Sequence, residues 1–203
     1  MNLDTTQLMA VAAALGWASG LRLYLVVFLT GLAGFLGWVD LPAGLKVLQQ
    51  PAFLGLSGVM LFVEFFADKI PGVDTLWDMI HTVVRLPAGA ALAAAVFGAD
   101  HSSWAMAAAL MGGTLAATSH VAKATTRAAL NASPEPFSNI AMSLLGDSVV
   151  PVSLWLSWEH PYAFFGALAV ALVVMVATTW VLAKFLRRLA QRIGRWVGRP
   201  AQA

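Results

Sequence analysis

The sequence predicts an all-α fold, a polytopic bundle of about six transmembrane helices. Of its 203 residues, 60% are hydrophobic and only 11% are charged, whereas soluble domains carry about 25% charged residues. The mean hydropathy is +0.78, and apolar runs recur at lengths near the roughly 20 residues that a helix needs to cross a bilayer. The chain has no cysteine, which excludes disulfides and Cys-ligated metal sites.

The first apolar run, residues 8–38, is too long for one straight span and contains a single charge, Arg22. Glycine in a helix costs about 1 kcal/mol relative to alanine. We therefore expect this helix to break at Ser19-Gly20, into halves over residues 8–18 and 21–38.

The later apolar runs are separated by short polar interruptions. The run at 87–98 is too short to cross alone, so it is expected to continue a helix that restarts near Asp74 as its N-cap, after the turn signal Pro71-Gly72. Residues 100–103 predict a tight loop. The runs are 51–67, 87–98, 104–119, 137–158 and 162–183.

Charge distribution predicts two regions and an orientation. Residues 1–183 are interpreted as the transmembrane domain, with polar blocks at 64–89 and 118–147, and residues 184–203 as a basic amphipathic tail. The tail holds six of the twelve Lys and Arg residues, so the positive-inside rule places it in the cytoplasm. Six crossings then put the N-terminus in the cytoplasm as well, an assignment that a re-entrant helix would break.

Ionisable side chains in the polar blocks recur at intervals of three and four residues, the spacing of one helix face. An acid-rich stripe consists of Asp74, Asp78, His81 and Arg85. A base-rich stripe consists of His120, Lys123, Arg127 and Asn131. Charges at membrane depth cost about 2.5–3.5 kcal/mol each on insertion scales, so the two stripes are expected to pair inside the bundle.

Further polar residues extend this predicted centre. Asp68 lies one turn before the first stripe, and Asn139, Ser143 and Asp147 form a third polar line. The candidate residues for substrate binding or proton relay are Asp68, Asp74, Asp78, His81, Arg85, His120, Lys123, Arg127, Asn131, Asn139 and Asp147. The alternative is that both blocks are ordinary cytoplasmic loops whose charged faces are solvated.

Two kinds of ligand fit the candidate residues. Carboxylate and imidazole groups on one helix face are possible ligands for a divalent cation, here Asp74, Asp78 and His81. Guanidinium and ammonium groups grip phosphate or carboxylate, here Arg85, Lys123 and Arg127. No other cofactor is expected, and the sequence contains no Walker loop, nucleophile elbow or dinucleotide fingerprint.

Several strings together carry a family resemblance. They are Ala18-Ser-Gly20, Ala67-Asp-Lys-Ile-Pro-Gly-Val-Asp74, Trp77-Asp78, His81-Thr82, Arg85, Gly89, His120-x2-Lys-Ala-x2-Arg127 and Asn131-Ala-Ser-Pro-Glu-Pro-Phe-Ser-Asn139. With them the chain resembles the bacterial membrane family named domain of unknown function 4126. The resemblance implies a polytopic protein of the bacterial inner membrane and supplies no substrate. One departure is Gly146-Asp147, where the family pattern has two adjacent acids.

The leading functional hypothesis is a small transporter or channel-like permease for an anionic solute or lipid headgroup. Two similar polar blocks favour a two-fold internal repeat, a common architecture of transporters, and His81 and His120 would relay protons. The alternatives are a metal-dependent membrane enzyme acting on a phosphate-bearing lipid and a non-catalytic scaffold, with a non-enzymatic role favoured. Expected partners are the lipid bilayer and a second copy in a homodimer, with no nucleic acid.

Overall fold

A computed structural model of the protein describes residues 3–70, 72–98, 102–132 and 136–197. Within these ranges all regular structure is helical. The helices are α1 (Thr5–Phe35), a 3-10 helix (Ala43–Gln49), α2 (Pro51–Ala67), α3 (Val73–Phe97), α4 (Ser102–Leu130), α5 (Pro136–Glu159) and α6 (Pro161–Val197). Five helices are long and apolar enough to cross a membrane, and a sixth span results if the 3-10 helix and α2, bent by 70°, count as one. The predicted all-α membrane bundle is confirmed.

The break in α1 lies at Arg22, not at Ser19-Gly20 as predicted. Arg22 has φ −147° and ψ 80°, and the helix continues on both sides of it. Gly20 stays helical because its missing Cβ makes room for α4: a Cβ there would collide with Ser119 and with the backbone of Ala116. The glycine serves close helix packing, as small residues do in membrane bundles.

The bundle has two ends, which the directions of α3 and α5 define. Asp74 at the start of α3 accepts a hydrogen bond from Asn139 at the start of α5, over 3.0 Å. The two helices therefore begin together at what we call the polar end, and they finish together at the far end. The break at Arg22 divides α1 into a first arm, residues 5–21, and a second arm, residues 23–35. The first arm starts at the far end, where Gln7 Nε2 lies 3.4 Å from the carbonyl oxygen of Trp158.

The second arm of α1 turns back to the far end. After the break, Gly31 packs against the backbone of Leu48 in the 3-10 helix, and Gly44 of that helix packs against Ala95 near the end of α3. The basic tail, by contrast, continues α6 beyond the polar end. Helix α1 folds back at Arg22, so its N-terminus lies at the opposite end of the bundle from the tail. The side of the membrane that each terminus faces stays a prediction.

The other helices run through the interruptions that the sequence contains. Helix α2 has the predicted bounds, and α3 continues through Pro87 as expected, with Gly72 at φ 87° before its first turn. Helix α4 joins the predicted span 104–119 and the polar segment after it into one helix of 29 residues. It begins at Ser102, inside the predicted loop at 100–103, of which residues 100 and 101 lie outside the described part.

The first arm of α1 is the centre of the bundle. Residues 10–20 are buried on every face of that helix. Gly16 lies so close to the backbone of Gly112 on α4 that a Cβ at either glycine would collide with a neighbour, and Gly89 on α3 lies in the same contact. This tight packing brings the polar residues of α3 and α4 against the break at Arg22.

Candidate functional site

A network of ten charged side chains lies near the polar end, around the break in α1. Its members come from α1 to α5 and the turn after α2, and we call it the charge network. The acids are Glu64, Asp68, Asp74, Asp78 and Asp147, and the bases are Arg22, Lys69, Arg85, Lys123 and Arg127. Ion pairs connect all ten, and the five negative and five positive charges cancel.

Asp68 is the hub between the break and α4. Its carboxylate pairs with Arg22 and lies 3.0 Å from both Lys123 Nζ and Arg127 Nη1. The Asp68 side chain is fully buried. A carboxylate in that position would be strongly destabilised without cationic partners, so its three partners account for its place in the interior.

Asp78 is the second hub, and it joins α3 to α4. Its Oδ1 lies 2.7 Å from Arg85 Nη1 and 3.0 Å from Lys123 Nζ, while Arg127 Nε approaches Oδ2 at 3.6 Å. Arg85 also pairs with Glu64 Oε1 over 2.7 Å, which ties α2 to the same hub. The acid-rich and base-rich stripes thus face each other across α3 and α4.

Arg22 links the hubs to α5. Its Nη2 lies 2.9 Å from Asp147 Oδ1 and donates to Ser143 Oγ over 2.7 Å. Lys69 pairs with the other oxygen of Asp147 at 3.1 Å. Because the backbone departs from helical geometry at Arg22 itself, this guanidinium sits at the apex of α1, between α2 and α5.

Asp74 forms the outermost part of the network. Its carboxylate accepts hydrogen bonds from Asn131 and Asn139 side chains, each at 3.0 Å, and from the backbone N–H of Gly72 and Thr75. Negative charge near a helix N-terminus is favourable. Asp74 therefore stabilises the start of α3 and joins the ends of α4 and α5 to it, rather than acting as the predicted N-cap.

The two predicted histidines flank the network on different sides. His120 lies 2.7 Å from Thr82 Oγ1 through Nε2 and 3.4 Å from Arg85 Nη1 through Nδ1. His81 stacks on Trp77 and reaches Tyr24 Oη over 3.1 Å. His120 touches the network directly, whereas His81 is held by aromatic neighbours.

Several buried polar atoms of the network, and one of the neighbouring Asn139, have no hydrogen-bond partner among the described residues. They are Glu64 Oε2, Asp78 Oδ2, Arg85 Nε and Asn139 Oδ1. A cavity of about 250 Å³ adjoins Asp78 and Arg127 and is also lined by Thr75 and Thr82. Asp78 is the lining residue of this cavity that also has an unpartnered atom, so the cavity is an approach to the network between α3 and α4.

The structure brings most of the predicted site residues together, but it separates His81 from the other two predicted metal ligands. Asp74 and Asp78 share Arg127 as an ion-pair partner, whereas His81 contacts Trp77 and Tyr24. Within the described ranges no group of three His, Asp or Glu residues could hold a metal ion. The acid-rich stripe is buried, as are His120 and Arg127 of the base-rich stripe, while Lys123 and Asn131 are partly buried. This burial contradicts the solvated-loop alternative. Sequence analysis left Arg22, Glu64 and Lys69 out of the candidate site.

The fold and this network define a polytopic helical membrane protein that encloses paired ionisable groups. The chain belongs to the family described as Domain of unknown function (DUF4126), whose model matches residues 9–182. This agrees with the resemblance carried by the signature strings. Comparison with curated proteins and with solved structures found no match.

Proposed function

We propose that the protein is a small permease that carries an anion together with a proton, using the charge network as the binding centre. One observation carries the proposal: five acids and five bases are paired inside a membrane bundle, at the apex of a broken helix. Ionisable groups within membrane helices are rare and mark solute or proton pathways. Broken helices in transporters often lie at the substrate site.

The charge balance explains why an anion would need a proton. The network has no net formal charge, so an incoming anion leaves one uncompensated negative charge in the interior. Such a charge is strongly unfavourable in a low-dielectric environment. A proton on one of the network carboxylates restores neutrality and releases a cationic partner for the anion.

A proton path is available along α3 and α4. Thr82 lines the cavity beside Asp78 and Arg127, and its Oγ1 lies 2.7 Å from His120 Nε2. His120 in turn lies beside Arg85. Imidazole exchanges protons near neutral pH. We assign His120 as the relay between this cavity and the network, and His81 with Tyr24 as a second candidate relay.

We assign the polar end of the bundle to the cytoplasmic side of a bacterial inner membrane. The basic continuation of α6 emerges there, with Lys184, Arg187, Arg188 and Arg192, and such clusters are retained inside. The far end, with residue 5 and the 3-10 helix, then faces the other side. Solute would pass between the two faces through the network.

The proposal is tested in proteoliposomes loaded with a pH-sensitive dye. Gradients of chloride, nitrate, sulfate and inorganic phosphate are imposed one at a time, with potassium and valinomycin clamping the voltage. We expect at least one anion to move protons faster than in protein-free liposomes, and Arg127→Gln to abolish the effect. Anion movement without proton movement, or no response to any of the four, would overturn the proposal.

Two further variants separate a functional loss from misfolding. Asp68→Asn combined with Arg127→Gln restores charge balance, so this protein is expected to fold while remaining inactive. Asp40 and Lys46 form an exposed ion pair with side chains 65% and 57% accessible. Their double neutralisation, Asp40→Asn with Lys46→Gln, is the matched control and should leave transport unchanged.

A further inference from the structure

Two adjoining cavities form a groove along the first arm of α1, between α5 and α6. They measure about 310 Å³ and 370 Å³ and share Val149 in their walls. From Phe164 in the upper cavity to Thr178 in the lower one, the groove follows α6 for fourteen residues, or about 21 Å at the helical rise. That length exceeds one leaflet of a ~30 Å hydrocarbon core.

The lower end of the groove is cationic. Arg22, Lys123 and Arg127 line it, and its other lining residues are apolar or small apart from Thr126 and Thr178. The ion pairs of Arg127 with carboxylates use Nη1 and Nε, and a guanidinium carries five donors in all. Arg127 can therefore bind an anionic group from the groove side while still touching the network, whereas the three donors of Lys123 already contact Leu21 O, Asp68 and Asp78.

The upper part of the groove contains a buried donor. Trp17 lines it with only 4% of its surface exposed, and within the described residues its Nε1–H has no hydrogen-bond partner. The nearby hydroxyls of Ser148 and Ser153 donate to the carbonyl groups of their own helix. An unpaired buried donor is unfavourable by about 1–3 kcal/mol, so an acceptor on a ligand would stabilise it.

The groove is accessible from the side of the bundle. Helix α6 packs more extensively against α4 than against α5, and residues of α5 and α6 line both cavities. A chain-like molecule can therefore enter between α5 and α6 from the surrounding lipid. The walls of the upper cavity, Phe164 and Leu168 among them, suit a hydrocarbon chain.

We infer that this groove binds a single-chain amphiphile with an anionic head, of the monoacyl glycerophosphate class. The phosphate would bind Arg127, beside Arg22 and Lys123, and the acyl chain would follow α6. Trp17 lies about one helical turn, roughly 6 Å, from Leu21 at the cationic end, a distance at which its indole N–H meets the ester carbonyl. The inference rests on the proposed function, since the phosphate head would occupy the same cationic centre that binds the transported anion.

Binding is tested in phosphatidylcholine nanodiscs by native mass spectrometry. Palmitoyl glycerophosphate and palmitoyl glycerophosphocholine share the chain and ester and differ in head charge. We expect the phosphate to bind at least about tenfold more tightly, the size of one charge-assisted hydrogen bond. Equal affinity for the two heads, as for an annular lipid, would overturn the inference.

A pair of substitutions on α6 locates the site without touching the network. Ala171 lines the groove, whereas Ala169 is exposed on the same helix and lines neither cavity. Ala171→Phe should weaken phosphate-head binding about tenfold or more, the loss expected when an inserted ring overpacks a filled site. Ala169→Phe should leave it unchanged, and a similar response of the two variants would refute the location.

The outcome is separable from that of the proposed function, because binding is measured without any gradient. If the protein binds the phosphate head selectively but moves no protons with any anion, the groove assignment stands and the permease proposal fails. If anions move together with protons but the protein does not distinguish the two heads, the permease proposal stands and the groove assignment fails.

Discussion

Arg22 illustrates how one residue sets both backbone and charge in this protein. It is the only charge in a 31-residue helix, its side chain is almost completely buried, and it pairs with Asp68 and Asp147. Replacing Arg22 by a neutral residue takes one cationic partner from each of these two carboxylates and leaves the network with a surplus negative charge in the interior, which is strongly unfavourable. The residue therefore fixes the apex of α1 and the position of α5 together.

The Glu64–Arg85 pair gives a stability prediction at this scale. Both side chains are fully buried, so Arg85→Gln should destabilise the protein by about 3–5 kcal/mol, the usual effect of breaking a buried pair. Denaturation in detergent with increasing SDS measures the change. Adding Glu64→Gln to Arg85→Gln should restore part of the loss, whereas additive destabilisation would show that the two residues do not act as a pair.

Residue-scale prediction from sequence succeeded where spacing was regular and missed isolated charges. The two stripes stand out because their members recur at helical intervals, and the structure pairs Asp78 with Lys123 and Arg85. Arg22 and Glu64 each lie in an apolar run, which predicts an ion pair or a functional role inside the bundle but does not identify the partners. Lys69 gave no such signal, because a lysine beside a turn is usually solvated.

At the scale of elements, helices were predictable by length and their breaks were not. Pro51 and the apolar run after it fixed α2, and the shortness of 87–98 required continuity through Pro87. Gly20 was the natural break on propensity alone. Tertiary packing decided otherwise, because α1 needs glycine where it touches α4 and bends where Arg22 meets its acids.

The glycine contact between α1, α3 and α4 provides a prediction for packing. Gly112→Ala should destabilise the bundle by about 1–3 kcal/mol, because its new methyl group would meet Ala93 and the carbonyl of Gly89. Gly55 has open space at the same position, so Gly55→Ala is the matched control and should be neutral or slightly stabilising. Unfolding in SDS-detergent mixtures compares the two, and equal midpoints would contradict the close approach.

For the whole molecule, the topology predicts which residues face opposite sides of the membrane. The chain has no cysteine, so Thr5→Cys, Lys46→Cys and Arg188→Cys can each be labelled alone. In intact cells, an impermeant maleimide that crosses the outer membrane should label positions 5 and 46. Position 188 should react only after lysis, and labelling of 5 and 188 from the same side would contradict the fold-back of α1.

The class of the molecule followed from composition, but the end of the bundle at which each terminus lies did not. Low charge content and repeated apolar runs were enough to predict a helical membrane bundle. The six-crossing count took the run over 8–38 as one crossing, whereas α1 folds back at Arg22 and both of its ends lie towards the far end of the bundle. Nothing local distinguishes a bent span from a hairpin, because the decision lies in contacts between α1, α5 and the 3-10 helix.

The neutrality of the network also constrains how the chain can be assembled during synthesis. Counted in chain order, the network charge is +1 after α1, zero after α2 and its turn, −1 after α3, +1 after α4 and zero again once Asp147 of α5 arrives. A nascent chain that ends before α5 carries a surplus cation that has to stay hydrated. Commitment of these segments to lipid should therefore wait for the fifth helix, and a ribosome-stalled fragment ending at residue 132 should be extracted from the membrane more easily than one ending at residue 160.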